Sequence, residues 1–465
     1  MTKYIPSVTM HIRLQVASFQ VTALFSPLNK IWGWALSIVG TLFTNLLAIF
    51  FYLGTKTLFD IRAKGLHNFS VSPSTIIAVT HRKNLDEIIV ASTLHFRKTL
   101  FRPRFRMWFA ARDDVFERGF LSTYFQLPRF WGRLMYAINL SPVMAAFRAR
   151  PISRLTRSKV GNILRDVYRY KGNIALKDIL KAQWITKFAS LLPSPVNSNL
   201  SNTSLKDFVS YDYRVLHLQE GGLRMLKSHV SARIRHLLLN KINGQLNCFS
   251  NILDKGGILF FTPEDEHSPD GQFGPIRSGI RRIIAMAQAD VRILPINITY
   301  DSMTVGRMRT HVTIGPEITN LKRPTKNEFE KLMQIAITKL GVVNMGHLGS
   351  CCLLRAAQKN SDMVTKELLS REIHSQAQKL RSLGLTVDEN LVDHGALSKR
   401  LDKFIKYCLR RHWLRAGTDG RLTVNRKAVL NFSESVHHDH AIRHSYNELM
   451  TYQHAYGIKE LEVGP

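Results

Sequence analysis

The chain has 465 residues, 45% hydrophobic and 9% aromatic, which excludes a disordered chain, a collagen and a disulfide-stapled miniprotein. Its 65 Lys and Arg against 34 Asp and Glu leave a net charge of +31, more than solubility asks of a globular protein. A polyanionic partner is implied, and both nucleic acid and an anionic membrane surface present the required array of phosphates.

The membrane is favoured at the N-terminus, where residues 31–53 hold no charge over 23 positions. About 20 apolar residues cross a bilayer core. A secretory signal carries an apolar stretch of only about 7–15 residues and begins earlier. Residues 1–60 therefore read as a retained membrane anchor, with Trp32, Trp34 and Tyr52 as interfacial aromatics. Residues 14–27 are also largely apolar, so a single helix and a helical hairpin dipping into one leaflet both fit. Basic residues flank the run on both sides, and the positive-inside count is tied. Anionic membrane lipids are the expected partner, and no nucleic acid is expected.

Residues 74–80 (STIIAVT) have the β-branched character of a buried strand, and residues 85–94 read as a helix. Between them stands His81-Arg82-Lys83-Asn84-Leu85-Asp86. Asn84 is placed to cap the helix, with Glu87 three residues on, so Asp86 falls in the first turn. His81 then hangs at the strand's C-terminal edge, where α/β folds bind ligands, and Asp86 is spaced to share its proton. In a chain rich in histidine this spacing arises by chance. The bland alternative is a capping aspartate beside an incidental histidine.

Context adds weight. A Phe261-Thr-Pro-Glu-Asp-Glu-His-Ser268 segment precedes Gly274-Pro-Ile-Arg-Ser-Gly279, and an apolar strand is expected at 291–300 (VRILPINITY). Residues 138–148 (INLSPVMAAFR) are a largely apolar run ending in Arg148. In this order the segments resemble the glycerolipid acyltransferase superfamily, which includes lysophosphatidic acid and glycerol-3-phosphate acyltransferases, with 138–148 the candidate for its apolar strand ending in Arg. The resemblance covers roughly 70–150 and 215–320. It implies an α/β domain over 61–325, a central mixed sheet flanked by helices. It also implies direct transfer of a fatty acyl group from acyl-CoA or acyl carrier protein, without a cofactor or metal, to glycerol-3-phosphate or 1-acylglycerol-3-phosphate.

Within that resemblance His81 is the general base and Asp86 its orienter, as an imidazole near neutral pKa suits deprotonation of a hydroxyl. Glu264 is expected to bind the acceptor or brace its loop, and Arg148, Arg277 and Arg281 to bind substrate. The chain has no G-x-S-x-G elbow for a covalent serine route. Asp265-Glu266-His267 stands where the family carries Gly-Thr-Arg, which gathers acids in a loop that otherwise favours phosphate. A degenerate acyltransferase fold that binds lipid or protein is therefore the alternative.

Residues 149–214 read as a basic, loop-rich insertion, and residues 97–112 as a further basic and aromatic stretch suited to lipid. Helices are expected at 277–289, 327–340, 348–358 and 362–380, which makes 326–384 a helical segment. Residues 385–465 read as a small helical C-terminal domain, with a possible strand at 417–425. His437, His438, Asp439, His440 and His444 read as a histidine-rich surface helix rather than a metal site. The cysteines at 248, 351, 352 and 408 form no C-x-x-C pair and read as reduced thiols, hence a body on the cytoplasmic side of the membrane.

Overall fold

The computed structural model describes residues 26–102, 107–124, 128–154, 158–192, 200–217, 219–264, 268, 270–321, 324–359, 363–417, 421–431 and 440–458, with side chains from residue 40. Seven strands build the main sheet: β1 (Phe59–Lys64), β2 (Thr75–Val79), β3 (Met107–Arg112), β4 (Ala149–Ile152), β5 (Ile258–Phe261), β6 (Arg292–Asp301) and β7 (Met308–Ile314). Their order is β1-β7-β6-β2-β5-β3-β4. β6, β2, β5, β3 and β4 run parallel, while β7 is antiparallel to β6 and pairs in parallel with β1, so the sheet is mixed as expected.

β2 is central and buried at every residue, with Ile77 in register with Phe260 of β5 and Leu294 of β6. Its near-continuous apolar run is what a parallel strand covered on both faces requires. Successive side chains point to opposite faces. Ile77 and Val79 join one core layer with Ile89, Val90 and Leu94, and Ile76 and Ala78 join the other with Phe249, Ile280 and Phe329.

Helices α1 (Ser26–Leu58), α2 (Asp86–Leu94), α3 (Arg129–Ala137), α4 (Ser141–Ala146) and α5 (Val160–Lys171) precede α6 (Ser228–Asp254), α7 (Ser278–Met286) and α8 (Lys326–Thr338). The C-terminal part of the chain adds α9 (Met345–Gln358), α10 (Lys366–Ser382), α11 (His394–Arg410) and α12 (Ala441–Ala455).

Among the described residues one stretch, Gly40–Leu58 of α1, is long and apolar enough to cross a membrane. Leu42, Phe43, Leu46, Phe50 and Leu53 are exposed, and the opposite side is seated on the protein. There Asn45 Oδ1 lies 2.8 Å from His95 Nε2. Tyr52 is not an interfacial aromatic as expected: it is buried, stacked on Phe96 at 4.1 Å, and accepts from Arg97 Nε at 3.2 Å. Most of the apolar segment at 14–27 lies outside the described residues.

Three expectations change. The stretch 138–148 is no strand: Pro142 stands in the first turn of α4, where a fixed φ favours helix, and β4 begins only after Arg148 turns the chain with φ 56°. Residues 149–152 are thus sheet, and the described residues of the insertion beyond them include helix α5 and shorter helices at Leu176–Ile179, Ala182–Ala189 and Leu205–Phe208. Val160, Ile163, Leu164 and Val167 recur at helical spacing on α5 and pack with Phe188, Phe208, Met225, Ile234 and Leu238 in a core of their own that runs past 214. Arg169 and Lys171 of α5 are exposed, Arg169 pairing with Glu117 and Asp166 at 3.1 Å each, while the Arg165 side chain is only 15% exposed. Of the basic stretch 97–112, residues 107–112 form β3.

The C-terminal boundary also moves. Phe329, Met333 and Ile337 of α8 pack on the main sheet, whereas Leu348, Ile373, Leu385, Leu401 and Tyr452 share one core that spans the expected division at 384/385. Cys351, Cys352 and Cys408 are buried in it as free thiols. A fully buried Asp301 at the end of β6 ties this unit to the sheet, accepting from Arg400 Nε at 2.9 Å and from the Gly346 N–H at 3.2 Å.

Candidate active site

The parallel strands β2 and β5 end side by side, and the loops leaving them carry His81 and Glu264. Glu264 is buried and binds both sides of the crevice: Oε1 accepts from the His81 backbone N–H at 2.9 Å and Oε2 from the Gly274 N–H at 2.8 Å. Burial raises its pKa, against the pull of Arg82 and the two N–H groups. Glu264 is a brace of the histidine loop.

Asp86 is fully buried at the first position of α2, and Asn84 is not the cap expected of it. The helix's capping position is Leu85, without a side-chain cap. The Asp86 carboxylate folds back to accept the N–H groups of Arg82 and Lys83, the latter at 2.7 Å, and the Tyr300 hydroxyl donates to its other oxygen. A carboxylate held by this many donors is fixed in position. His81 Nδ1 lies 3.6 Å from Asp86 Oδ2 and 3.6 Å from Glu87 Oε1. Burial disfavours the imidazolium, but Asp86, Glu87 and Glu264 outweigh it, and the His81 pKa is raised above 6.5. Glu87, expected as a cap partner, is instead a second carboxylate beside the imidazole, its own pKa raised by burial. Nδ1 is the ring nitrogen turned to the acids.

His81 lines a cavity of about 740 Å³. Its walls are largely apolar: Ala48 and Phe51 of α1, Ala91 of α2, Met107 and Phe109 of β3, Met144 of α4 and Phe147 at its end, Leu246 of α6 and Phe260 of β5. Arg112, Arg148, Arg154, Arg277 and Arg282 add positive charge to the lining. The Arg148 guanidinium lies 5.0 Å from the Trp108 ring centroid, and Arg150 lies 5.2 Å from it. An apolar chamber with a few convergent polar groups is the usual form of a small-molecule site.

Of the residues singled out in the sequence, His81, Arg148 and Arg277 line this cavity, and Asp86 and Glu264 stand behind it. Arg281 does not line it. Its neighbour Arg282 does, because successive residues of a helix point about 100° apart. Asp265, Glu266 and His267 lie outside the described residues, as do His437, His438 and Asp439. Among the described residues no cluster of three His, Cys, Asp or Glu is placed to hold a metal ion.

One partner of the motif is far away in sequence. The Arg82 side chain is buried, its Nη1 donating to the carbonyls of Gly271 and Gln272 at 3.3 Å each and its Nε 3.5 Å from Glu448 Oε1 of α12. Glu448 also accepts from the Tyr452 hydroxyl at 2.6 Å and meets His347 Nε2 at 3.2 Å. Burial opposes its charge, yet Arg82 and His347 hold its pKa down to about 2. The C-terminal unit thereby clamps the loop that carries His81. Arg82 stood inside the motif and was readable as a candidate, whereas Glu448 carried no signal in its surroundings.

In comparisons with known proteins, no family model and no curated sequence matches this chain.

Proposed function

We propose that this protein is a membrane-anchored glycerolipid O-acyltransferase that moves a fatty acyl group from acyl-CoA or acyl carrier protein to a hydroxyl of glycerol-3-phosphate or 1-acylglycerol-3-phosphate. One observation carries the reading: an imidazole backed by two carboxylates opens on an apolar chamber of about 740 Å³ that also presents arginines and borrows a wall from the apolar helix α1. Apolar walls suit an acyl chain, and guanidinium groups suit a phosphate. The free thiols are in keeping with a body on the cytoplasmic side.

In the proposed reaction His81 Nε2 accepts the acceptor's hydroxyl proton as that oxygen attacks the thioester carbonyl. The C–O bond forms, the C–S bond breaks, and the proton passes to the departing thiolate. Asp86 and Glu87 stabilise the intervening imidazolium. Glu264 acts through the loop backbone, without touching substrate. The test is detergent-solubilised protein with labelled acyl-CoA or acyl carrier protein, offered glycerol-3-phosphate, lysophosphatidate and neutral lysolipids in parallel. Acylation of a phosphate-bearing acceptor is expected, and no turnover with any donor–acceptor pair would overturn the proposal.

The carboxylates predict the pH profile. A base works only when neutral, so the rate falls as pH drops through the His81 pKa, which lies above 6.5. Glu87→Gln removes one of the charges that raises it. The acid limb of kcat/KM against pH should move to lower pH in that variant, and an unmoved limb would separate Glu87 from the base.

A further inference from the structure

Helix α3 and the turn after it are built inside out. Gly132 and Tyr136 face the protein: the Tyr136 hydroxyl donates to the Val209 carbonyl, its ring meets Tyr211 edge-on at 5.9 Å, and a Cβ on Gly132 would collide with the Tyr211 hydroxyl. The opposite side carries Phe130, 73% exposed, Trp131, 52%, and Leu134, 48%, followed by exposed Ile138 and Val143. Positions 130 and 134 are successive helical turns on one face, and Ile138 follows at the helix's C-terminal cap. A single exposed leucine means nothing, but a contiguous apolar and aromatic face on an otherwise seated helix marks a docking surface.

The surroundings decide what covers it. Phe147, just after α4, meets Phe43 of α1 with ring centroids 6.4 Å apart. The end of α4 therefore adjoins the exposed face of the helix that is long enough to cross a bilayer. The two elements also share the cavity, with Thr44, Ala48 and Phe51 on one side and Met144, Ala146 and Phe147 on the other. Exposed Arg133 and a net charge of +31 match anionic headgroups.

We propose that the outer face of α3 and α4 is a membrane-docking surface that seats in the interfacial layer of an anionic bilayer beside α1. Trp131 and Phe130 enter at headgroup depth, where aromatic rings are favoured, and Leu134 reaches the acyl boundary. The cavity is then flanked by two lipid-facing elements, so a lipid substrate enters it sideways from the leaflet. The surface does not depend on the acyltransferase reading.

The test is fluorescence of the full chain in vesicles of phosphatidylcholine and phosphatidylglycerol, with and without brominated acyl chains. Subtracting the signal of a Trp131→Phe variant isolates Trp131 from the other five tryptophans. Expected is a Trp131 component shifted to shorter wavelength and quenched by the brominated lipid. An unquenched component at the wavelength of a water-exposed indole overturns the proposal and leaves the face to a protein partner or a second copy. A second probe guards against a misfolded variant: Leu134→Cys in a Cys248→Ser background, carrying a nitroxide. Lipid seating predicts that oxygen reaches this label more readily than a water-soluble nickel chelate does, and the reverse order overturns it. Either result stands whether or not acyl transfer is ever detected.

Discussion

His81→Ala is expected to lower kcat for the proposed acyl transfer by about 10²–10⁴-fold, the usual contribution of a positioned general base. The substitution is a clean one because the contacts that hold the loop are made by backbone. The His81 N–H still reaches Glu264, and the N–H groups of Arg82 and Lys83 still reach Asp86. The imidazole lines the cavity with its side chain 13% exposed, so thermal unfolding of the variant is measured beside its turnover. Loss of turnover at unchanged stability and unchanged acyl-CoA binding assigns the base to His81. Turnover within a few-fold of the parent would remove His81 from the chemistry. A loss accompanied by weaker acyl-CoA binding would mean that the imidazole binds substrate rather than moving a proton.

The second large effect is on stability. Glu448→Ala leaves the Arg82 guanidinium, whose side chain is 1% exposed, with two carbonyl acceptors and without its first counter-charge, Glu264 and Asp86 being the carboxylates that remain. Removing one member of a buried ion pair costs about 3–5 kcal/mol, chiefly because the other charge stays buried. The loss should appear as a lower urea midpoint, and equal midpoints for variant and parent would show that Arg82 is satisfied without Glu448. Acid stability gives an independent reading. Glu448 titrates near 2 in the folded chain against an ordinary 4.5, so its contribution is complete above about 4.5 and is lost as pH falls towards 2. Glu448→Gln should flatten that part of the stability curve while keeping the Tyr452 and His347 side chains in place. Because Arg82 adjoins His81, both variants should also slow the proposed reaction, but Glu448 is a positioning residue and the effect should fall on kcat more than on KM.

What lay open in the amino-acid sequence was what contiguous residues decide. The run at 31–53 specifies an apolar helix by length and lack of charge alone, and STIIAVT specifies a strand buried on both faces. A histidine at that strand's end with an aspartate five residues on is enough to expect the His81 and Asp86 pair, because both ends of the contact sit on one strand–helix turn. Phase errors begin where one residue decides the direction. Arg281 was expected at the site where Arg282 stands, and Asn84 at a capping position that Leu85 occupies. Pro142 and a left-handed Arg148 turned an expected strand into a helix followed by a short strand.

Tertiary structure alone decided the rest, since it depends on the path of the chain between distant residues. Glu264 becomes a brace only because β2 and β5 lie in register side by side. Glu448 reaches Arg82 only because α12 folds back over the histidine loop. The same holds for the exposed face of α3: its composition reads as an ordinary amphipathic helix, and only the contacts of Gly132 and Tyr136 with the body show that the apolar side points outward. Periodicity tells which residues share a face, but what that face meets is set by long-range packing, which local propensity does not encode.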